Sequence, residues 1–241
     1  MAILELKGVT KTFGGLTAVS NVSLVLEQGT VLSLVGPNGA GKTTLFNLIS
    51  GFLKVTSGKI FLKGEDVTGV APFRICKKGL CRTFQLVKPF GDMTVLENIV
   101  IGSLLNTKDL RKASEEAFQV MEEIGLIEKH AQLGKNLTIA DQKRLELGKA
   151  LSTKPFLLLL DEVMSGLTRN ETDDLINLLR RLAEGGITLL LIEHVMHAVM
   201  SLSDRVAILH HGEKIVEGPP TVVVNDPRVI RAYLGDEYAA P

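Results

Sequence analysis

Gly36-Pro37-Asn38-Gly39-Ala40-Gly41-Lys42-Thr43 has the spacing G-x-x-x-x-G-K-[ST], a glycine loop ending in a lysine and a hydroxyl. Such a loop binds phosphate. Its glycines let the backbone curl until several N–H groups point inward at phosphate oxygens, and a following helix adds its positive end. Lys42 can reach the β- and γ-phosphates, and the Thr43 hydroxyl can ligate Mg²⁺. A second reactive group lies far downstream. Asp161-Glu162 ends the apolar run 156–160, and His194 follows the run 188–192. Doubly wound folds place functional groups at such strand ends. Asp161 is expected to hold Mg²⁺ through a water, and Glu162 to orient or deprotonate an attacking water. His194 is expected beside them, against the γ-phosphate. Phe13, next to Gly14-Gly15, has two open readings: local packing, or a face for an adenine ring.

The elements that must position these residues are legible as hydrophobic patterns. Residues 31–35 form a short apolar strand before the glycine loop, and 44–50 a helix with Gly51 as a left-handed stop. The runs 156–160 and 188–192 are expected as buried parallel strands. Between them lies a helix over 171–183, with Leu175, Leu179 and Leu182 inward and Gly185-Gly186 as its break. Residues 3–9 alternate as a half-buried strand, as do Val22, Leu24 and Leu26 before a turn at 27–30. A turn at 56–58 precedes a strand at 59–62. Strands 206–210 and 214–216 flank a turn at His211-Gly212-Glu213, with His210 and His211 solvated. The tail from 219 is expected to be irregular, with a short helix near 228–234.

The middle reads differently. Thr94 is an N-cap, with Glu97 completing a capping box. Ala113, Ala117, Val120, Met121 and Ile124 fall on one helical face. A third helix is expected from Asn136-Leu137-Thr138 towards Leu151, with Thr138 and Asp141 as a capping box carrying Asp in place of Glu. The predicted fold is α/β: a P-loop NTPase core with a mixed sheet, an N-terminal antiparallel β region and an inserted helical subdomain. The core takes residues 1–86 and 153–241, and the helical subdomain 87–152.

Composition narrows the function. The 241 residues are 45% hydrophobic, enough for one large α/β domain or a domain with a subdomain. Lys+Arg and Asp+Glu are each 27, a balance that argues against nucleic acid as a partner. Cys76 and Cys81 form a lone C-x₄-C and read as reduced thiols. The start Met1-Ala2-Ile3-Leu4-Glu5 lacks the pattern of a signal peptide. The run 156–160 is too short to span a bilayer. Any membrane role is therefore expected to be peripheral, through a partner.

Across nearly its whole length the chain resembles the ATP-binding subunit of an ABC transporter. Residues 36–44 (GPNGAGKTT, ending in Thr44) and 157–162 (LLLLDE) are similar to its two nucleotide motifs. Arg82-Thr83-Phe84-Gln85 resembles the Q-loop, which implies Gln85 near Mg²⁺ and the attacking water. Phe13 matches the adenine-stacking aromatic and His194 the switch histidine. Residues 137–144 sit where the LSGGQ signature belongs. This implies that Thr138, Ile139, Ala140 and Asp141 close on a nucleotide held by a partner subunit. Residues 90–98, 161–167 and 226–235 are similar to the branch serving branched-chain amino-acid uptake, with urea and lipopolysaccharide relatives.

The resemblance implies an ATPase with Mg²⁺ as cofactor, peripheral on the cytoplasmic face of the cell membrane. Its partners would be transmembrane permease subunits and a second ATPase subunit, as a homo- or heterodimer. Two departures stand out: Ile139 and Ala140 replace the two signature glycines, and Thr168 stands where the family carries Asp. Ile139 would hinder close backbone approach, and Asp141 would bring a carboxylate to the phosphate side. A soluble ABC ATPase of repair or translation would need a second cassette or a basic face. A P-loop kinase would not carry the Q-loop or the glutamate after Asp161.

Overall fold

The computed structural model describes residues 1–85 and 88–234. The expected boundary at 86/87 and the tail 235–241 lie outside these. β1 (Ala2–Phe13) and β2 (Leu16–Glu27) form an antiparallel hairpin burying Leu4, Leu6 and Val9 against Val22, Leu24 and Leu26. β3 (Val31–Val35) is fully buried, and the glycine loop leads from it into α1 (Lys42–Ile49). α1 starts two residues earlier than its apolar pattern, because the loop itself turns directly into helix at Gly41.

β4 (Ser57–Leu62) pairs with β1 and with the short β5 (Glu65–Asp66). Ser57 and Gly58 of the expected turn at 56–58 instead open this strand. Thr56 N–H donates to the Thr10 carbonyl, and Ser57 pairs with Thr10, so the sheet captures these residues. α2 (Pro72–Lys77) and β6 (Leu80–Arg82) follow.

Three helices come next. α3 (Val95–Ser103) has the expected Thr94–Glu97 capping box. α4 (Leu110–Glu123) is capped by Asp109, which accepts from the N–H groups of Arg111 and Lys112, so it starts three residues before its apolar face. α5 (Ile139–Leu151) is capped by Thr138, which accepts from the Asp141 N–H. The expected reciprocal half of that box does not form. Asp is one methylene shorter than Glu, and its carboxylate takes the Thr138 hydroxyl (2.8 Å) and Lys129 (2.5 Å) instead.

β7 (Leu157–Asp161), α6 (Arg169–Glu184) and β8 (Thr188–Ile192) return the chain to the sheet. Thr168 caps α6 in a capping box with Glu171, so the helix opens two residues before the expected 171. α7 (Met196–Leu202), β9 (Arg205–His210) and β10 (Glu213–Gly218) follow. His211 is exposed and His210 half-buried, their rings 4.1 Å apart. The described tail is more regular than expected. α8 (Pro220–Val223) opens on a proline whose fixed φ suits a first turn, and α9 (Pro227–Leu234) follows.

Two sheets result. The first runs β2-β1-β4-β5, all antiparallel; the second runs β10-β9-β3-β8-β7-β6, parallel except for the β9–β10 hairpin. The central strands read as continuous apolar runs because both faces are covered. Their residues divide with period two. Leu157, Leu159, Leu190 and Ile192 join a core with α1 and the antiparallel sheet. Leu158, Leu160, Leu189 and Leu191 join a second core with α3, α4, α5 and α6. Truncating Leu159→Ala is expected to cost about 2–5 kcal/mol, since a fully buried strand leaves a cavity that cannot collapse. Urea denaturation checks this, with Phe73→Ser, at an exposed position, expected to be near neutral.

Candidate ATP-binding and hydrolytic site

Parallel register sets the site. Ile192 of β8 pairs with Leu34 of β3 on one side and with Asp161 of β7 on the other. The glycine loop, the Asp161-Glu162 pair and Glu193-His194 therefore leave the sheet along one edge. The loop needs two of its glycines for space. A Cβ on Gly36 would stand 2.1 Å from the Leu209 carbonyl oxygen. One on Gly41 would stand 2.3 Å from the Ala18 carbonyl oxygen, and Gly41 has φ +100°. Gly41 has no side chain to cap α1, so the first-turn N–H groups have no side-chain acceptor there and suit an anion.

Lys42 folds over the loop, its ammonium donating to the carbonyls of Gly36 (2.7 Å) and Pro37 (2.9 Å). Burial pushes its pKa below the ordinary lysine value, against the charges of Glu162 and Asp161, which favour the ammonium. The loop thus holds one cation facing two carboxylates. Thr43 is exposed and Thr44 half-buried on the first turn, and Asn38 and Gly39 are exposed at the loop's tip.

The Glu162 side chain is held between two neighbours. Gln85 Nε2 donates to its Oε2 at 2.6 Å, and His194 Nδ1 lies 3.8 Å from the same oxygen. The backbone of Glu162 is left-handed, φ +48°, a conformation costing about 1–2 kcal/mol for a non-glycine residue. Its N–H donates to the Ile192 carbonyl at 2.9 Å, which ties the strained turn to β8. A carboxylate set this way, beside an amide and an imidazole, can position a water and accept its proton.

Asp161 is 3% exposed and forms a 2.7 Å ion pair with Arg82. Arg82 also donates to Asn47 (2.6 Å) and Ser50 (3.3 Å), and its guanidinium lies over the Phe46 and Phe84 rings. Lys42, Gln85, Asp161, Glu162 and His194 are thus brought together by the strand ends and the residues between them. Phe13 stands apart at the end of β1, 45% exposed, with the Lys11 ammonium 4.9 Å over its ring. Thr138, Ile139, Ala140 and Asp141 make no direct bond to the group among the described residues. Asp141 is turned onto Thr138 and Lys129. Burial works to raise its pKa, and those two partners outweigh burial and hold it below the usual carboxylate range. The carboxylate at this helix start is therefore already paired within the chain.

Sequence reasoning missed Arg82, Lys143 and Glu193 as side chains of the site. Arg82 and Glu193 carry a signal: a charge inside or directly after a buried strand must be paired. Lys143, on one face of α5, has no such mark.

A family model described as ABC transporter matches residues 19–165, more than half of the chain. The chain belongs to the ABC transporter family. A second model, described as branched-chain amino acid ATP-binding cassette transporter, matches residues 213–239 of this cassette. The cassette is 40% identical to the high-affinity branched-chain amino acid transport ATP-binding protein BraF of Pseudomonas aeruginosa, over 97% of this chain and 98% of that protein. It is 41% identical to the protein named LivG of Escherichia coli, over the same shares. A crystal structure of a nucleotide-free ATP-binding cassette from an ABC transporter superposes with a TM-score of 0.90 at 32% identity, covering 98% of this chain and all of that one. This cassette is an ATPase of that family.

The donor set fits Mg²⁺. Thr43 offers a hydroxyl, Gln85 a carbonyl oxygen and Asp161, acting through a water, the carboxylate oxygen that Arg82 does not take: the hard oxygen donors that Mg²⁺ would need beside substrate phosphates. Among the described residues no cluster of three His, Cys, Asp or Glu competes for a softer metal. Replacing Arg82→Met should cost about 3–5 kcal/mol, because Asp161 would remain buried without its partner. Chemical denaturation of the variant measures this; an unchanged midpoint would show that the pair contributes nothing.

Proposed function

We propose that this cassette hydrolyses ATP with Mg²⁺ to drive the import of branched-chain amino acids. The observation that carries the hydrolytic part is Glu162, held between Gln85 and His194 on the sheet edge shared with the P-loop. In this reading the loop N–H groups and Lys42 bind the phosphates, and Phe13 stacks on the adenine. Thr43, Gln85 and Asp161 hold Mg²⁺, which neutralises phosphate charge when bound. Glu162 takes the proton of the attacking water, and His194 contacts the γ-phosphate. Residues 1–86 and 153–241 act as the nucleotide-binding core, and 87–152 as a helical subdomain. The amino-acid substrate is supported by the C-terminal family match and by the names of the relatives.

Two partners complete this reading. Thr138 and Ile139 are exposed at the start of α5, where they would meet the nucleotide of a second ATPase subunit placed head-to-tail. Ile139 brings bulk to that contact, which favours a heterodimer with unequal sites. The second partner is a permease. Phe52, Phe73 and Phe84 line one surface pocket; all three are exposed, and Phe52 and Phe84 meet edge to face at 5.6 Å. Phe90, five residues past Gln85, is also exposed, with the Lys149 ammonium 5.1 Å over its ring. Exposed aromatics of this kind fit the docking of a membrane subunit. Val95, a few residues further along the chain, is fully buried in the helical core and has no part in such a surface. Among the described residues no helix is long and apolar enough to cross a membrane. The permease would hold the cassette at the cytoplasmic face.

Glu162→Gln is expected to bind MgATP like the parent and to turn it over about 100-fold more slowly or worse, since the amide keeps the shape and loses the base. Nucleotide titration and phosphate release measure the two properties separately; near-parental turnover would remove Glu162 from the chemistry. Phe90→Asp should keep ATP binding and lose co-purification with the permease. Full recovery of the complex would put the docking surface elsewhere.

A further inference from the structure

The turn that aims Glu162 is held from two directions by charged side chains that the hydrolytic reading does not use. Lys143 lies on α5, five residues past its Thr138 cap, and is buried. Its ammonium donates to the Glu162 carbonyl at 3.2 Å. Glu193, the residue before His194, is 1% exposed. Its Oε1 accepts from the Met164 N–H at 3.0 Å, and its Oε2 has no hydrogen-bond partner. A buried lysine and a buried glutamate on two elements thus close on one loop. Burial pushes Lys143 down from its ordinary pKa, against the charges of Glu193 and Glu162, which favour the ammonium. Burial pushes Glu193 up, against the Met164 N–H and the neighbouring His194, which favour the carboxylate.

The loop they hold is strained. Glu162 is left-handed, and such a backbone persists only where its surroundings over-determine it. Four bonds do so here. The Glu162 N–H is tied to Ile192, and its carbonyl accepts from Lys143 and from the Ser165 N–H at 3.2 Å. Glu193 fixes Met164 two residues on. A pair serving only packing would sit anywhere in the core. This pair grips the peptide group of the reacting residue and the next turn.

We propose that Lys143 and Glu193 are positioning residues for ATP hydrolysis, fixing the Glu162 turn and linking it rigidly to the start of α5. The inference rests on the reading of Glu162 as the residue that activates water. It adds a consequence. The start of α5 is the segment offered to a partner's nucleotide, so Lys143 joins the helix that senses one ATP site to the base of the other. A shift of α5 on contact with the partner's nucleotide would be felt at the Glu162 carbonyl with no change in the P-loop.

The test uses the purified full chain, with ATP affinity, thermal midpoint, kcat and KM measured for Lys143→Met, Lys143→Arg, Glu193→Gln and Glu162→Gln. Lys143→Met keeps the stem's volume and removes the donor and the charge. It should lower kcat tenfold or more, with KM and ATP affinity within about twofold of the parent. Lys143→Arg keeps a donor and should recover most of the lost kcat, which a defect of packing alone would not allow. Glu193→Gln keeps an acceptor for Met164 and loses the charge that faces Lys143. It should lower kcat several-fold in the same pattern, and it serves as the second probe if Lys143→Met does not fold. If Lys143→Met, or Glu193→Gln in its place, turns over within twofold of the parent while Glu162→Gln is inactive, the positioning role is wrong and the reading of Glu162 stands. If Glu162→Gln itself turns over normally, both are wrong. Equal losses in kcat and ATP affinity would make the pair a general structural element and overturn the proposal.

Discussion

Everything at the nucleotide edge depends on the register of three buried parallel strands. β3, β8 and β7 are paired so that Leu34, Ile192 and Asp161 stand level. A slip of one residue in any of them would send its alternating leucines to the wrong core and its last residue to the wrong height. The two hydrophobic cores that divide Leu157 and Leu159 from Leu158 and Leu160 are what forbid that slip. Site geometry is thus a by-product of packing: once both faces of the sheet are filled, the P-loop, the acidic pair and His194 have no freedom in their relative heights.

What packing places, electrostatics then refines. Asp161 sits at the strand end in a nearly dry setting, and Arg82 on the neighbouring β6 supplies the opposing charge. The pair is weak grounds for net stability, since desolvation offsets most of its attraction. Its effect is on position: it fixes one carboxylate oxygen and leaves the other. One residue on, the chain reverses hand at Glu162, which swings that side chain out of the sheet towards Gln85 and His194. Two adjacent carboxylates thereby acquire different surroundings and different work, one buried against a guanidinium and one half-exposed between an amide and an imidazole.

The sequence disclosed the parts whose physics is local. The glycine loop, the capped start at Thr94 and the apolar runs 31–35, 156–160 and 188–192 are each written in a few neighbouring residues, and each of these strands and the capped helix lies within one residue of where its pattern put it. Helix starts were less legible. The caps Asp109 and Thr168 lie two or more residues ahead of the apolar faces that drew attention. Contacts between distant residues were not legible at all. Nothing near Arg82 announces Asp161, 79 positions away, and nothing near Lys143 announces the Glu162 carbonyl. Asp141 is the instructive case. Its type suggested a carboxylate presented to phosphate, whereas Lys129, twelve residues upstream, takes it up.

The central claim is that phosphate chemistry at this edge is hydrolysis by the residues gathered on it. The most direct measurement follows the γ-phosphate of labelled ATP incubated with the full chain and Mg²⁺, with Lys42→Ala alongside. The label is expected to appear as inorganic phosphate, with no phosphorylated acceptor, and Lys42→Ala is expected to retain little nucleotide because the loop loses its inward cation. Label transferred to an acceptor, or ATP bound and cleaved by Lys42→Ala as by the parent, would contradict the account.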